Sequence, residues 1–390
     1  MIDKIKIENF KSIQSLEIEL GRLNVFIGAN GSGKTNILEA IAMGSTAINN
    51  KIEDVILSNK GFRVNNFEKI KSRFKKKSNA ESIALSFFSD ENDEALIFSI
   101  LEDNKNRIIV KKGVDNFIES FKGSKAFGNL VKQYKEDKDP PKGNSANSLL
   151  KKTLEMVKSI HDSFTEYAIE SLKDFIIFAP ENTFLRRFED EGATKPIGVK
   201  GEGLFKHLVE IFKENPKKAQ QIKENLQLLD WFEDFDIPKD LMFTEKRIAI
   251  KDRFLENGLS YFDQRSANEG FLFLLFYFTL FISDETPNFF AVDNIDTALN
   301  PKLGAKTIEI LANLAKNNHK QAILTTHNPA ILDGLNLNDD NQRLFVVYRN
   351  ADGHTKVKRI FKKPTPEGQT PVRLSEQFLR GYLGGLPDNF

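Results

Sequence analysis

The chain has 390 residues, with 56 Lys and Arg against 55 Asp and Glu; a formal net charge of +1 excludes a uniformly basic nucleic-acid binder and leaves only local basic patches open. It has no cysteine, which excludes disulfides, thiolate-held zinc and cysteine catalysis. The first seven residues alternate charged and apolar side chains without a signal-like apolar run, and the longest apolar stretch, Phe271–Ile282, is too short to span a bilayer, so a soluble, cytoplasmic chain with no membrane partner is expected.

Taken in order, Ile5–Phe10 and Leu16–Leu20 alternate with period two and predict half-buried strands joined by the polar turn Lys11–Ser15. Leu23–Ile27 is an apolar run suited to a buried strand. Gly28-Ala29-Asn30-Gly31-Ser32-Gly33-Lys34-Thr35 follows, and Asn36–Ala42 reads as a helix with Ile37, Leu38, Ile41 and Ala42 on one face. Strand, G-x-x-x-x-G-K-T and helix in succession form a phosphate-binding loop in its proper context. Glycines let backbone N–H groups turn inward, and the helix N-terminus favours an anion. Lys34 is expected on the β- and γ-phosphates of a nucleoside triphosphate and Thr35 on Mg²⁺, with Asn30 to Asn36 forming the cradle.

Further along, Ser82–Phe88, Ala95–Ile100 and Asn106–Lys112 predict strands. Residues 115–173 read as helical, broken by the Pro140-Pro141 loop; the apolar stripe from Leu149 to Leu172 is packing core. Phe175–Phe178 returns to strand, Ala179–Phe188 to loop, and helices fill Leu204–Phe232 ahead of strands near Leu241–Phe243 and Arg247–Ile250. Phe271–Phe281 is an apolar helix, Phe289–Asp293 a buried strand, Pro301–Lys316 a helix, Gln321–Thr326 a buried strand, and Leu344–Tyr348 with Lys356–Phe361 a closing pair. Strands alternating with helices indicate an α/β fold with a mainly parallel sheet. Three stretches are expected: 1–113 and 261–390 as two parts of one head, and 114–260 as a mainly helical insertion with returning strands.

Phe289 to Val292 ends in Asp293, and such a strand is expected beside the phosphate-loop strand with its carboxylate on Mg²⁺. Lys69–Lys77 is either a phosphate-backbone contact or a solvated face. Arg186 and Arg187 either touch a neighbour's nucleotide or pair with Glu189, Asp190 and Glu191.

The order of the glycine loop, Ser266-Ala267-Asn268-Glu269-Gly270, Val292-Asp293-Asn294-Ile295-Asp296, Ala298-Leu299-Asn300-Pro301 and Thr325-Thr326-His327 resembles the ABC-type ATPase heads of the RecF, SMC and OLD-like group, as does the opening Ile7-Glu8-Asn9-Phe10-Lys11-Ser12. The resemblance covers about 1–45 and 260–340, and it implies an ABC-ATPase head with an antiparallel β flank plus a helical insertion. It implies ATP and Mg²⁺ as ligands and an ATP-dependent homodimer or higher oligomer in which Asn268, Glu269 and Gly270 grip the nucleotide of the second copy; Ser266 is a competing register. It makes Thr297–Asn300 a dimer-contacting loop and His327 the switch histidine.

Two departures stand out. The group's catalytic glutamate is replaced by Asn294, whose amide orients water but accepts no proton, so either Asp296 substitutes or hydrolysis is slow. No glutamine lies between Lys51 and Asn129 for the glutamine-bearing loop. The resemblance is to stand-alone OLD-like ATPases without a nuclease domain, which implies anti-phage defence through a separate effector, such as a nuclease. A DNA-clamping repair ATPase and a non-hydrolysing, nucleotide-stabilised scaffold are the alternatives.

Overall fold

The structure, a computed structural model, describes residues 1–49, 52–63, 67–74, 82–89, 95–102, 108–112, 169–188, 196–238, 246–256, 261–362 and 372–386. Most of the helix expected before residue 173, the strand near Leu241–Phe243 and Lys75–Lys77 lie outside these residues.

The central layer is a six-stranded sheet. In chain order its strands are β3 (Leu23–Ile27), β7 (Ile177–Phe178), β11 (Phe289–Val292), β12 (Gln321–Thr326), β13 (Gln342–Arg349) and β14 (Thr355–Ile360). Their spatial order is β14-β13-β3-β12-β11-β7; all neighbours run parallel except β13 and β14. Every residue of β3, β11 and β12 is buried, as expected where both faces of a parallel sheet are covered. The side chains alternate between two cores. Val25, Val292, Leu324 and Val346 face one, while Phe26, Ala291, Ile323 and Phe345 face the other.

The second of these cores lies against helix α1 (Lys34–Ala47) and a five-stranded antiparallel sheet. That sheet has the order β2-β1-β4-β5-β6, built from β1 (Lys4–Phe10), β2 (Ile13–Glu19), β4 (Ser82–Phe88), β5 (Ala95–Glu102) and β6 (Ile108–Lys112). It is the β flank expected from the alternation of the first twenty residues. The first core lies against Glu269–Ile282, Pro301–Asn317 and the pair Leu204–Glu214 and Pro216–Leu226. All of Phe271–Ile282 is buried, which explains a helix that is apolar all round. Its 14 residues, at about 1.5 Å each, fall well short of a bilayer core. Among the described residues no helix is long and apolar enough to cross a membrane.

Three expectations are corrected. The Ala179–Phe188 segment contains a short helix, Asn182–Arg187, closed by Phe188 in a left-handed conformation. The helical stretch from Leu204 stops at Leu226 and is divided at Asn215-Pro216, where Asn215 accepts from the Lys218 N–H and proline opens the next helix. Phe232 instead begins a strand, β8 (Phe232–Asp236), in a three-stranded antiparallel sheet of order β10-β9-β8 with β9 (Ala249–Asp252) and β10 (Tyr261–Asp263). A register shift between Phe232 and Asp234 breaks the period-two pattern that would have disclosed β8.

Candidate nucleotide site

The chain segments that follow β3, β7, β11 and β12 all leave the parallel sheet at the carboxyl ends of their strands, where open α/β sheets bind ligands. After β3, Gly31 at φ 75° and Gly33 at φ 109° carry the backbone through conformations that L side chains resist. Gly28 is confined for a different reason, since a Cβ there would lie 2.0 Å from the Val347 carbonyl oxygen. Helix α1 therefore begins directly at Lys34, two residues earlier than its apolar stripe suggests.

A directed chain of hydrogen bonds braces the loop from outside. Asn36 Nδ2 donates to Ser12 Oγ (2.6 Å), Ser12 lies 2.7 Å from Thr355 Oγ1, and Thr355 donates to the Ser32 carbonyl (3.0 Å). Arg349 Nε donates to the Gly31 carbonyl at 2.8 Å. Asn36 is thus engaged by the β1–β2 turn, while Asn30 stays exposed. One helical turn beyond Thr35, the fully buried carboxylate of Glu39 accepts from Lys11 Nζ (2.6 Å) and Arg63 Nε (2.8 Å). Serine, threonine and asparagine are too common for the sequence to reveal this brace. Lys11 and Ser12 lay in the quoted opening motif, but Thr355 carried no signal.

Inside the loop, Lys34 is buried and its ammonium donates to the carbonyls of Gly28 (2.7 Å) and Ala29 (3.1 Å). Burial lowers its pKa to about 8, against the opposing pull of Asp293 and Asp296. The ammonium lies 3.4 Å from His327 Nδ1. Burial, reinforced by that cation, holds the His327 imidazole below its ordinary pKa and therefore neutral near pH 7. Thr35 Oγ1 donates to Asp293 Oδ2 at 3.2 Å, and Thr325 Oγ1 donates to Asp293 Oδ1. Asp296 accepts from Thr326 Oγ1 at 2.7 Å. Lys34, Thr35, Asp293, Asp296 and His327, spread over almost three hundred residues of sequence, thus form one cluster.

The position of Asp293 corrects one expectation. Its strand is not beside the phosphate-loop strand, because β12 lies between them. Asp293 follows the last residue of β11, so its carboxylate reaches across the end of β12, where Thr325 holds it. Asn294, next in line, is exposed and left-handed at φ 57°; its N–H donates to Thr325 Oγ1 at 2.9 Å.

Asn268, Glu269 and Gly270 stand apart from this cluster. Asn268 caps the Glu269–Ile282 helix by accepting from the Phe271 N–H at 2.9 Å, which leaves its amide N–H₂ exposed. Glu269 accepts from Asn182 at 2.6 Å. Gly270 lies close to the Ala298 carbonyl. These three residues and Asn300 line a groove of about 930 Å³ together with Trp231 and Lys302.

Arg186 donates to backbone carbonyls ahead of Asn268, and the acids expected beside it, Glu189, Asp190 and Glu191, lie outside the described residues. Of the basic run, Arg73 pairs with Glu68 at 3.1 Å and Lys69 is exposed.

The residues fit a magnesium nucleotide. Ser32 Oγ is buried and has no hydrogen-bond partner among the described residues, an orphan inside the loop. A hydroxyl and a carboxylate from Thr35 and Asp293 are the hard oxygen donors that Mg²⁺ takes alongside phosphate oxygens and water. No group of three or more acidic or histidine ligands exists among the described residues.

Comparison with known proteins agrees. A 44-residue stretch is 52% identical to the DNA double-strand break repair Rad50 ATPase of Methanopyrus kandleri, covering 11% of this chain and 5% of that protein. A 47-residue stretch is 49% identical to the DNA replication and repair protein RecF of Halothermothrix orenii, covering 12% of each. The chain therefore matches only a small part of the length of these relatives. Its fold is similar to an SMC head bound to the C-terminal winged-helix domain of ScpA (16% identity, 93% and 98% of the two chains, TM-score 0.54). It is also similar to the Pyrococcus furiosus SMC head bound to the C-terminal domain of ScpA (12% identity, 92% and 96%, TM-score 0.50). In its short matched stretches and its fold the chain resembles the RecF, Rad50 and SMC ATPases, and residues 23–333 match the family described as "AAA domain, putative AbiEii toxin, Type IV TA system", to which the chain belongs.

Proposed function

We propose that the chain binds ATP·Mg²⁺ in the Gly28–Thr35 loop and that two copies close around two nucleotides, hydrolysing them slowly. The observation that carries this reading is the convergence of Lys34, Thr35, Asp293 and His327 beside the unpaired Ser32 hydroxyl. Lys34 would exchange its carbonyl partners for phosphate oxygens, and Thr35 with Asp293 would hold the metal, which when bound neutralises charge on the β- and γ-phosphates. Neutral His327, against Lys34, would accept or donate one hydrogen bond at the terminal phosphate. Asn268, with its amide exposed at a helix N-terminus, would meet the nucleotide of the second copy.

Asn294 stands where the group has glutamate and supplies no base, so the closed state would persist and act as a slow switch. In this reading the switch controls a separate effector in anti-phage defence; the toxin named in the family description is in keeping with a two-component system of this kind. A second reading, a DNA-clamping ATPase, is favoured by the repair proteins among the relatives. Strong, salt-dependent stimulation of hydrolysis by duplex DNA would select it over the first.

The test is nucleotide binding and ATP-dependent association of the purified chain beside Lys34→Ala. The parent is expected to bind ATP·Mg²⁺ and crosslink as a dimer, and the variant to lose both. A parent that remains monomeric under crosslinking with ATP·Mg²⁺ removes the dimer model.

A further inference from the structure

Residues 179–187 form a strap between the two halves of the composite site, and its origin and its end are both fixed. It leaves β7, whose Phe178 carbonyl accepts from the Asp293 N–H at 2.8 Å, so it starts beside the metal carboxylate. Ala179 and Glu181 donate from their backbone to Val199 (2.8 Å) and Lys200 (3.0 Å), and Leu185 is fully buried. The far end of the strap is anchored by Arg186. A single terminal nitrogen of its guanidinium, Nη1, donates to the carbonyls of Arg265 (2.6 Å) and Ala267 (2.8 Å) and lies 3.4 Å from that of Gln264. Asn182 adds the bond to Glu269 at 2.6 Å.

The loop that receives these bonds is a run of tight turns. Ser266 N–H donates to the Asp263 carbonyl, Ala267 N–H to that of Gln264, and Asn268 then caps the helix. The Arg265 and Ala267 carbonyls have no partner in this turn network and converge on one point. A cation satisfies several convergent carbonyls more strongly than a neutral donor does, and Arg186 is that cation.

From this geometry we infer that Arg186 is a positioning residue: it sets the shape of the 264–270 loop and ties it to the Asp293 edge of the same chain. The inference rests on the reading that Asn268–Gly270 meets the nucleotide of a second copy. Arg186 touches no residue of the phosphate loop, so its loss should leave nucleotide binding by the single chain intact and weaken closure.

Arg186→Gln and Arg186→Lys test this with the full chain, ATP and Mg²⁺. Three readouts are needed: affinity for a fluorescent ATP analogue, the protein concentration for half-maximal ATP-dependent association, and hydrogen exchange of the 264–271 amides. In Arg186→Gln the affinity should stay within about twofold of the parent, association should need at least about tenfold more protein, and the Phe271 amide should exchange faster. Arg186→Lys, which keeps a cation, should recover part of both losses. Unchanged exchange in Arg186→Gln overturns the inference whatever the association result, and so does unchanged association in a parent that dimerises. A parent that never associates refutes the composite-site reading instead, and exchange then still decides whether Arg186 shapes the loop.

Discussion

Replacing Asn294 with Glu sets two physical effects against each other. The structure holds residue 294 at φ 57°, a region that asparagine visits readily and that costs an ordinary side chain about 1–2 kcal/mol. The backbone has no freedom to relax, because the Asn294 N–H is bonded to Thr325 Oγ1 at 2.9 Å and its carbonyl accepts from Thr297 N (3.1 Å) and Oγ1 (2.9 Å). The strain is therefore expected to appear as about 1 kcal/mol of lost stability. Against it, a positioned general base contributes roughly 10²- to 10⁴-fold in rate. The gain dominates, so phosphate release at saturating ATP and Mg²⁺ should rise about 10²-fold or more while the melting point falls slightly. Asn294→Asp separates the two effects. Aspartate tolerates the left-handed conformation and is one methylene shorter, so it should keep parental stability and gain less rate. A folded, nucleotide-binding Asn294→Glu chain whose phosphate release stays within about twofold of the parent would falsify the assignment of slow turnover to Asn294.

Two stability predictions follow from buried charges. Glu39→Gln removes the carboxylate shared by largely buried Lys11 and exposed Arg63 and should cost about 1–3 kcal/mol, read by chemical denaturation; no measurable loss would mean that the pair is not held as described. Lys320, buried and bonded through Nζ to the Thr286 carbonyl at 2.7 Å, has a pKa lowered by burial to about 8. Between that value and its ordinary 10.5 the unfolded chain binds more protons than the folded one, so this residue makes stability rise with pH across that window. Lys320→Met should lose that component and flatten the pH profile of stability above pH 8; parallel profiles for parent and variant would contradict it.

The legible parts of this molecule were those in which one short stretch carries its own physics. Gly28–Thr35 declares a backbone shape and a cation, Phe289–Asp293 a buried strand ending in a carboxylate, and His327 the end of another. Each could be placed because a functional residue at the end of a parallel strand is already next to the site. What stayed hidden depends on partners remote in sequence. Ser12 and Thr355 are 343 residues apart, and neither looks exceptional alone. The position of β12 between β3 and β11 is a matter of strand order, which hydropathy does not encode. For Arg186 the sequence offered a neighbour's nucleotide or nearby acids, and the bonds it makes within this chain are to backbone carbonyls, which no sequence pattern marks.

The placement of β3 bears on how the chain comes to bind anything during synthesis. Both flanking strands, Gln321–Thr326 and Gln342–Arg349, are made some three hundred residues after Leu23–Ile27. A nascent chain carrying the complete glycine motif still lacks the two strands that fix it and the Thr355 hydroxyl that braces it. Early domains of many proteins fold as the ribosome releases them, but this phosphate loop has to wait for the far end of its own sheet. Such distant pairing makes folding slow. The intervening stretch adds little to that burden, because each doubling of a loop costs only about 0.6 kcal/mol in closure entropy. Lengthening a surface connection between the intervening elements should therefore be tolerated far better than any change that delays or weakens β12 and β13.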